Sequence, residues 1–170
     1  MLGNGPGACC LLALTSGLVA RVLRGREIVM GEYGRRLIVD ADFEKTLLET
    51  MRAVQLEGLD ILTRFDLREH VQRHVHHECR RYVLLQVASS DLLLRAIQTD
   101  LESGPLLPST MAIYELADGE TAVESTEPFA PVISDPAWRH AAPDLAALAD
   151  RESAQLARAL ARLDHVTTHG

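Results

Sequence analysis

Lysine is almost missing from this chain: sixteen of its seventeen basic residues are arginine, and Lys45 stands alone. Asparagine is as scarce, with Asn4 the single copy, while alanine is abundant. Together these read as the codon bias of a GC-rich genome, so the arginines do not by themselves mark a phosphate site. Positive charge is also in deficit overall. The net charge of −7 opposes nonspecific attraction to nucleic acid or to an anionic membrane. Aromatic residues make up only 4%. That leaves no interleaved platform on which bases would stack, and the core must be built from Leu, Val, Ile and Ala.

Cysteine and long apolar runs are equally limited. Cys9, Cys10 and Cys79 do not make a disulfide framework, which predicts a reducing, cytoplasmic setting. The apolar run from Ala8 to Leu14 is too short to span a bilayer, and no Lys or Arg precedes it as an export signal requires. No membrane partner is expected. Residues 1–27 read as an extension, disordered or partly helical. Residues 28–163 read as a single domain, and residues 164–170 as a tail. The 47% apolar content of the 170 residues suffices for one core without staples. No Gly-rich phosphate loop, Gly-x-Ser-x-Gly elbow or Cys-x-x-Cys pair occurs.

What is present is periodicity. Tyr33–Val39 reads as a strand. Asp40 and Asp42 are N-cap candidates for a helix over Phe43–Leu56, which Gly58 stops. Leu59, Ile61, Thr63 and Phe65 alternate as one face of a second strand. Asp66 to Glu69 is a capping-box pattern opening a short helix over Leu67–His76, with Leu67, Val71 and Val75 inward. Tyr82–Ala88 is the most apolar strand and is placed centrally. Ser89 or Ser90 caps a helix with Leu93, Ile97 and Leu101 on one face. Met111–Leu116 and Thr121–Ser125 flank an Asp118-Gly119 turn, a strong hairpin signal. A proline-rich connection follows, with Pro128, Pro131, Pro136, Pro143 and Trp138. A last helix over Asp144–Leu163 carries Leu145, Leu148, Leu156, Leu160 and Leu163 on one stripe. The order β-α-β-α-β-α-β-β-α predicts an α+β fold, a mixed, largely antiparallel sheet packed against helices.

With Gln86-Val87-Ala88-Ser89-Ser90 at the end of one strand and Leu106-Leu107-Pro108-Ser109-Thr110 leading into the hairpin, the chain resembles the family called domain of unknown function 302. The hairpin Ala112-Ile113-Tyr114-Glu115 with Gly119, and the later Pro128, fit the same pattern. The resemblance covers roughly Tyr33 to Leu163. It departs at two points, because the family's two cysteines are absent, at Ala88 and Ser109. The resemblance implies a compact α+β fold that pairs as a homodimer and implies no settled activity. A mechanism through those two thiols does not carry over.

Three groups of residues can carry chemistry. Ser89, Ser90, Ser109 and Thr110 occupy the two signature turns, where hydroxyls and helix N-terminal amides can hold a small anion. The competing reading is that Ser89 and Ser90 cap a helix and Ser109 follows Pro108. On a continuous helix His70, His74 and His77 share one face at i, i+4 and i+7, a spacing that lets imidazoles reach one metal. Cys79 or Glu78 would add a ligand where the chain turns after the helix, and zinc or haem is the cofactor such donors suit. The competing reading is packed or solvated histidine. Cys79, flanked by Arg80 and Arg81, is also a thiol candidate, against the simpler role of a small core residue. The favoured reading is a homodimeric domain that binds a small molecule between sheet and helices. The alternative is a metal- or haem-binding enzyme or sensor using the His70/His74/His77 cluster.

Overall fold

A computed structural model describes residues 28–127 and 134–166. The apolar N-terminal run, Pro128, Pro131 and the end at Thr167–Gly170 lie outside the described residues. Six strands form one sheet: β1 (Val29–Met30), β2 (Arg35–Val39), β3 (Asp60–Asp66), β4 (Tyr82–Ala88), β5 (Ser109–Ala117) and β6 (Glu120–Ser125). Their spatial order is β1-β2-β6-β5-β4-β3. Every neighbouring pair is antiparallel, so the largely antiparallel sheet expected from the sequence is antiparallel throughout. Strand β4 is interior but one place in from an edge, rather than central as expected.

Five helices join them: α1 (Phe43–Leu56), α2 (Leu67–Val75), α3 (Ser90–Thr99), α4 (Pro136–Ala141) and α5 (Pro143–Arg162). The caps form where the sequence offers them. Asp42 accepts from the Lys45 N–H at 2.9 Å, Asp66 from the Glu69 N–H at 2.9 Å, and Ser89 from the Leu92 N–H at 3.3 Å. Each satisfies an otherwise orphaned amide of the first turn. Pro143 sits at the first helical position of α5, where its missing N–H costs nothing. Helix α4 lies within the proline-rich connection, which the sequence had marked as irregular. Gly119 takes φ +76° in the β5–β6 turn, the left-handed backbone a tight hairpin needs.

One sheet face is covered. Leu37, Val39, Val83, Leu85, Val87, Met111, Ile113 and Val123 form a core with Phe43, Leu47 and Val54 of α1 and Leu156, Ala159 and Leu160 of α5. A smaller cluster joins Leu92 and Ala96 of α3 to Leu145 and Ala149 of α5. Thus α5 spans both clusters along one stripe. Leu163, the last member of that stripe, is buried in a 3₁₀ turn beyond the helix.

Three faces differ from expectation. A bulge between Ile61 and Thr63 breaks the alternation of β3, so Ile61 meets Val87 on the covered side while Thr63 and Phe65 meet Gln86 and Leu84 on the other. Helix α3 buries Leu92 and Ala96 in place of Leu93 and Ile97. Leu101, 85% exposed, falls beyond the helix in a 3₁₀ turn over Leu101–Leu106. Helix α2 buries no residue at all, since it follows an edge strand and no layer among the described residues covers it.

Candidate functional site

The two signature turns converge. Ser89 lies between the end of β4 and the start of α3, and Ser109 opens β5 directly opposite Val87. Above them, α5 lowers Glu152 into the interior, where it is 1% exposed. The Ser89 backbone N–H donates to one carboxylate oxygen of Glu152 at 2.8 Å, and the Ser109 hydroxyl donates to the other at 3.1 Å. Glu152 is the only charged residue in the buried set among the described residues. It separates the two apolar clusters: Leu145 and Ala149 lie on its N-terminal side, Leu156 and Leu160 on its C-terminal side.

The energetics of this seat are finely balanced. Taking a carboxylate out of water costs several kcal/mol after relaxation. A hydrogen bond to a charged group returns about 1.5–3 kcal/mol, and two such bonds are in place. No arginine or lysine pairs with Glu152 among the described residues. Desolvation prevails: burial pushes the Glu152 carboxyl above the usual carboxylate range, against the Ser89 and Ser109 donors that pull it down. A carboxyl held in this way is one that can gain or lose a proton where an ordinary surface carboxylate does not.

The other two residues predicted for this site lie nearby in sequence but are engaged outward. The Ser90 hydroxyl donates to Asp60 on β3 at 2.8 Å, and the Thr110 N–H donates to the Thr126 hydroxyl at 2.9 Å. So Ser89 and Ser109 meet at one group, while Ser90 and Thr110 each tie their strand end to a neighbour. The donors read from the sequence as an anion cradle at Ser89 and Ser109 are taken by the protein's own anion.

The histidine segment is arranged differently. Helix α2 ends at Val75, and His76 takes the left-handed conformation, φ 55° and ψ 35°, at its C-cap. His77 therefore lies past the helix, off the His70/His74 face that a longer helix would have given it, and Cys79 follows the turn. The His70 and His74 rings approach to 4.3 Å between centroids, and His70 also meets the Phe65 ring at 5.2 Å. Among the described residues no three His, Cys, Asp or Glu side chains gather into a metal-holding group. Cys79 is a free thiol of intermediate burial.

Sequence reasoning missed Glu152, although a signal was present. On the stripe Leu145–Ala149–Glu152–Leu156–Leu160 it is the one acidic member at core spacing. Two ion-pair networks were missed as well. Arg158 and Arg162 both clamp Glu57, each at 2.6 Å, and hold its carboxyl below the usual range. Arg35 reaches Glu127 at 2.6 Å and Ser153 at 3.1 Å, fastening β2 to α5. No helix among the described residues is long and apolar enough to cross a membrane.

Comparison with known proteins follows the same core. The sequence profile of the family described as Domain of unknown function DUF302 matches residues 36–163, from β2 to the end of the α5 stripe. The fold is similar to the crystal structure of the uncharacterized conserved protein DUF302 from Bacillus stearothermophilus. The TM-score is 0.63 at 21% identity, covering 78% of this chain and 98% of that one. No curated protein matches.

Proposed function

This chain belongs to the DUF302 family, and within that frame we propose a homodimeric, cytoplasmic domain that binds a small molecule at the Ser89–Ser109–Glu152 junction. The observation that carries this reading is the buried carboxylate that no cation among the described residues pairs with. As a purely structural clamp, glutamine would serve better. Its Oε1 would accept from the Ser89 N–H, its Nε2 would donate to a rotated Ser109 hydroxyl, and no charge would be buried. A carboxyl at this position is the choice for a group whose charge or proton is used. The ligand class follows from the acceptor: a small molecule carrying hydrogen-bond donors, such as an amine, a guanidine or a polyol. Its donors replace those of Ser89 and Ser109, and Ser90 and Thr110 are the flanking hydroxyl residues of the same two turns.

A thermal-shift panel of small amines, guanidines and polyols, run on wild type and Glu152→Gln, tests the reading. The expected result is a compound that raises the melting temperature of wild type and leaves the variant unmoved, with the unliganded variant at least as stable. A panel that moves neither protein, together with a Glu152→Gln that loses more than about 1 kcal/mol, would reduce Glu152 to a clamp.

The second reading, zinc or haem on α2, is favoured by one observation, the approach of the His70 and His74 rings to 4.3 Å. Two imidazoles at i, i+4 supply half of a tetrahedral zinc set; completing it requires the segment after His76 to bring His77 or Cys79 back toward that pair. Calorimetric titration with zinc, and a visible spectrum with haemin, checks it against His74→Ala: heat or a Soret band lost in the variant supports the site.

A further inference from the structure

The sheet has a second face, and no helix among the described residues lies across its centre. The register fixes which side chains stand there. One row runs Arg36, Glu124, Ala112, Leu84, Phe65 across β2, β6, β5, β4 and β3. The next runs Ile38, Ala122, Tyr114, Tyr82. The Tyr82 and Tyr114 rings stack at 5.2 Å with planes 9° apart, and the Arg36 guanidinium lies 5.8 Å over the other ring neighbour, Tyr114. A cation and two rings thus form one ladder across four strands. Phe65 and Ile38, 41% and 40% exposed, stand at the two sides. Three of the chain's seven aromatic residues are therefore gathered on the uncovered face of a protein that has very few.

We infer that this face is where a second copy of the chain docks, sheet against sheet about a two-fold axis. The inference rests on the homodimeric reading above and gives it a surface. Three observations select a second copy as the occupant. The first is charge. A molecule of net charge −7 repels its twin, yet the two central rows hold one cation, Arg36, and one anion, Glu124. These two rows carry no net charge and are self-complementary, as an isologous contact requires. The second is an unmade bond. The Arg36 Nε is buried and finds no hydrogen-bond acceptor among the described residues, while Glu124 accepts from the Tyr114 hydroxyl at 3.3 Å and has lone pairs to spare. The third is size. Six strands about 4.8 Å apart and central strands about 20 Å long give a footprint of roughly 500 Å² per copy, or about 1,000 Å² in total, the lower bound for a specific interface. Tyr and Arg at its centre are the residue types that dominate binding energy at such contacts.

Sedimentation equilibrium of the full chain over a wide concentration range provides the test. The variants are Ile38→Asp, Arg36→Glu and the swap Arg36→Glu/Glu124→Arg, with Leu48→Asp as control. Leu48 is 65% exposed on α1, away from this face. The expected result is a wild-type dimer whose dissociation constant rises about 30-fold or more in Ile38→Asp and Arg36→Glu, the effect of losing a central contact. The swap should recover part of that loss, and Leu48→Asp should match wild type. Far-ultraviolet circular dichroism and melting confirm that each variant is folded. A dimer that tolerates both face variants overturns the surface and leaves the homodimer standing. A wild type that stays monomeric overturns both. A monomer in which deleting residues 1–27 newly exposes Ile38 and Phe65 to a hydrophobic dye assigns the face to the chain's own N-terminal segment instead.

Discussion

Helices α2 and α5 present the two extremes of this molecule. Helix α2 carries the residues that attract attention, with His70 and His74 on it and His76 and His77 just past it, yet it buries nothing. Helix α5 is dominated by alanine, leucine and arginine, yet it buries seven residues, crosses both apolar clusters and holds the one buried charged residue among the described residues. The contrast teaches that chemical type and structural constraint are separate quantities. A side chain becomes reactive through what surrounds it, and α5 supplies surroundings where α2 supplies mostly water.

Core substitution tests that contrast with the largest effect. Leu156→Ala on α5, at full burial, should cost about 2–5 kcal/mol in denaturant unfolding through lost transfer energy and a cavity. Leu85→Ala on β4 should behave alike. Val75→Ala on α2, 67% exposed, should stay within about 0.5 kcal/mol. Comparable losses at Leu156 and Val75 would erase the distinction between the helices.

A smaller effect separates the two carboxylates that α5 engages. Glu57, lowered by Arg158 and Arg162, contributes stability that is present above the ordinary carboxylate range and is lost as pH falls through its depressed folded value. Both arginines are half exposed, so Glu57→Gln should cost about 1 kcal/mol or less at neutral pH, and less still in high salt. Glu152 has the opposite sign. Its raised folded value means the folded state binds the extra proton, so its contribution is fully present below the ordinary range and is lost as pH rises through the raised value. Stability measured across pH should therefore fall less steeply on the alkaline side in Glu152→Gln than in wild type. Identical slopes would show that Glu152 titrates as it does in the unfolded chain.

The smallest effect expected is in hydrogen exchange. Amides of α2 should exchange well before those of α5, and His74→Ala should leave the α5 rates unchanged. Slow exchange in α2 would mean that something outside the described residues packs on it.

The sequence was most legible where local chemistry decides structure. Asp42, Asp66 and Ser89 cap helices as side chains of their type do, and Asp118-Gly119 turns the hairpin. It was least legible where a single residue shifts the phase. The bulge at Leu62 moved Thr63 and Phe65 to the opposite face, and packing against Leu145 and Ala149 of α5 turns Leu92 and Ala96 of α3 inward. In the candidate site, Ser89 and Ser109 could be named because both lie in turns marked by short motifs. Their convergence depends on α5, some forty residues further along the chain, and no local pattern encodes that. His77 was misplaced for a related reason: spacing assumes a continuous helix, and the left-handed turn at His76 ends it.

The pairing of β2 with β6 has a consequence in time. Leu37 sits beside Val123, 86 residues later. At roughly 5–20 residues per second of synthesis, the strand Arg35–Val39 waits about 4–17 s for its partner to be made, a nonlocal contact of the kind that slows folding. Through that interval an apolar Leu-Ile-Val edge is carried by a nascent chain. The two arginines that open the strand, Arg35 and Arg36, are placed where charge discourages premature pairing. Once β6 and then α5 have been made, the first fastens β2 to α5 and the second lies over Tyr114.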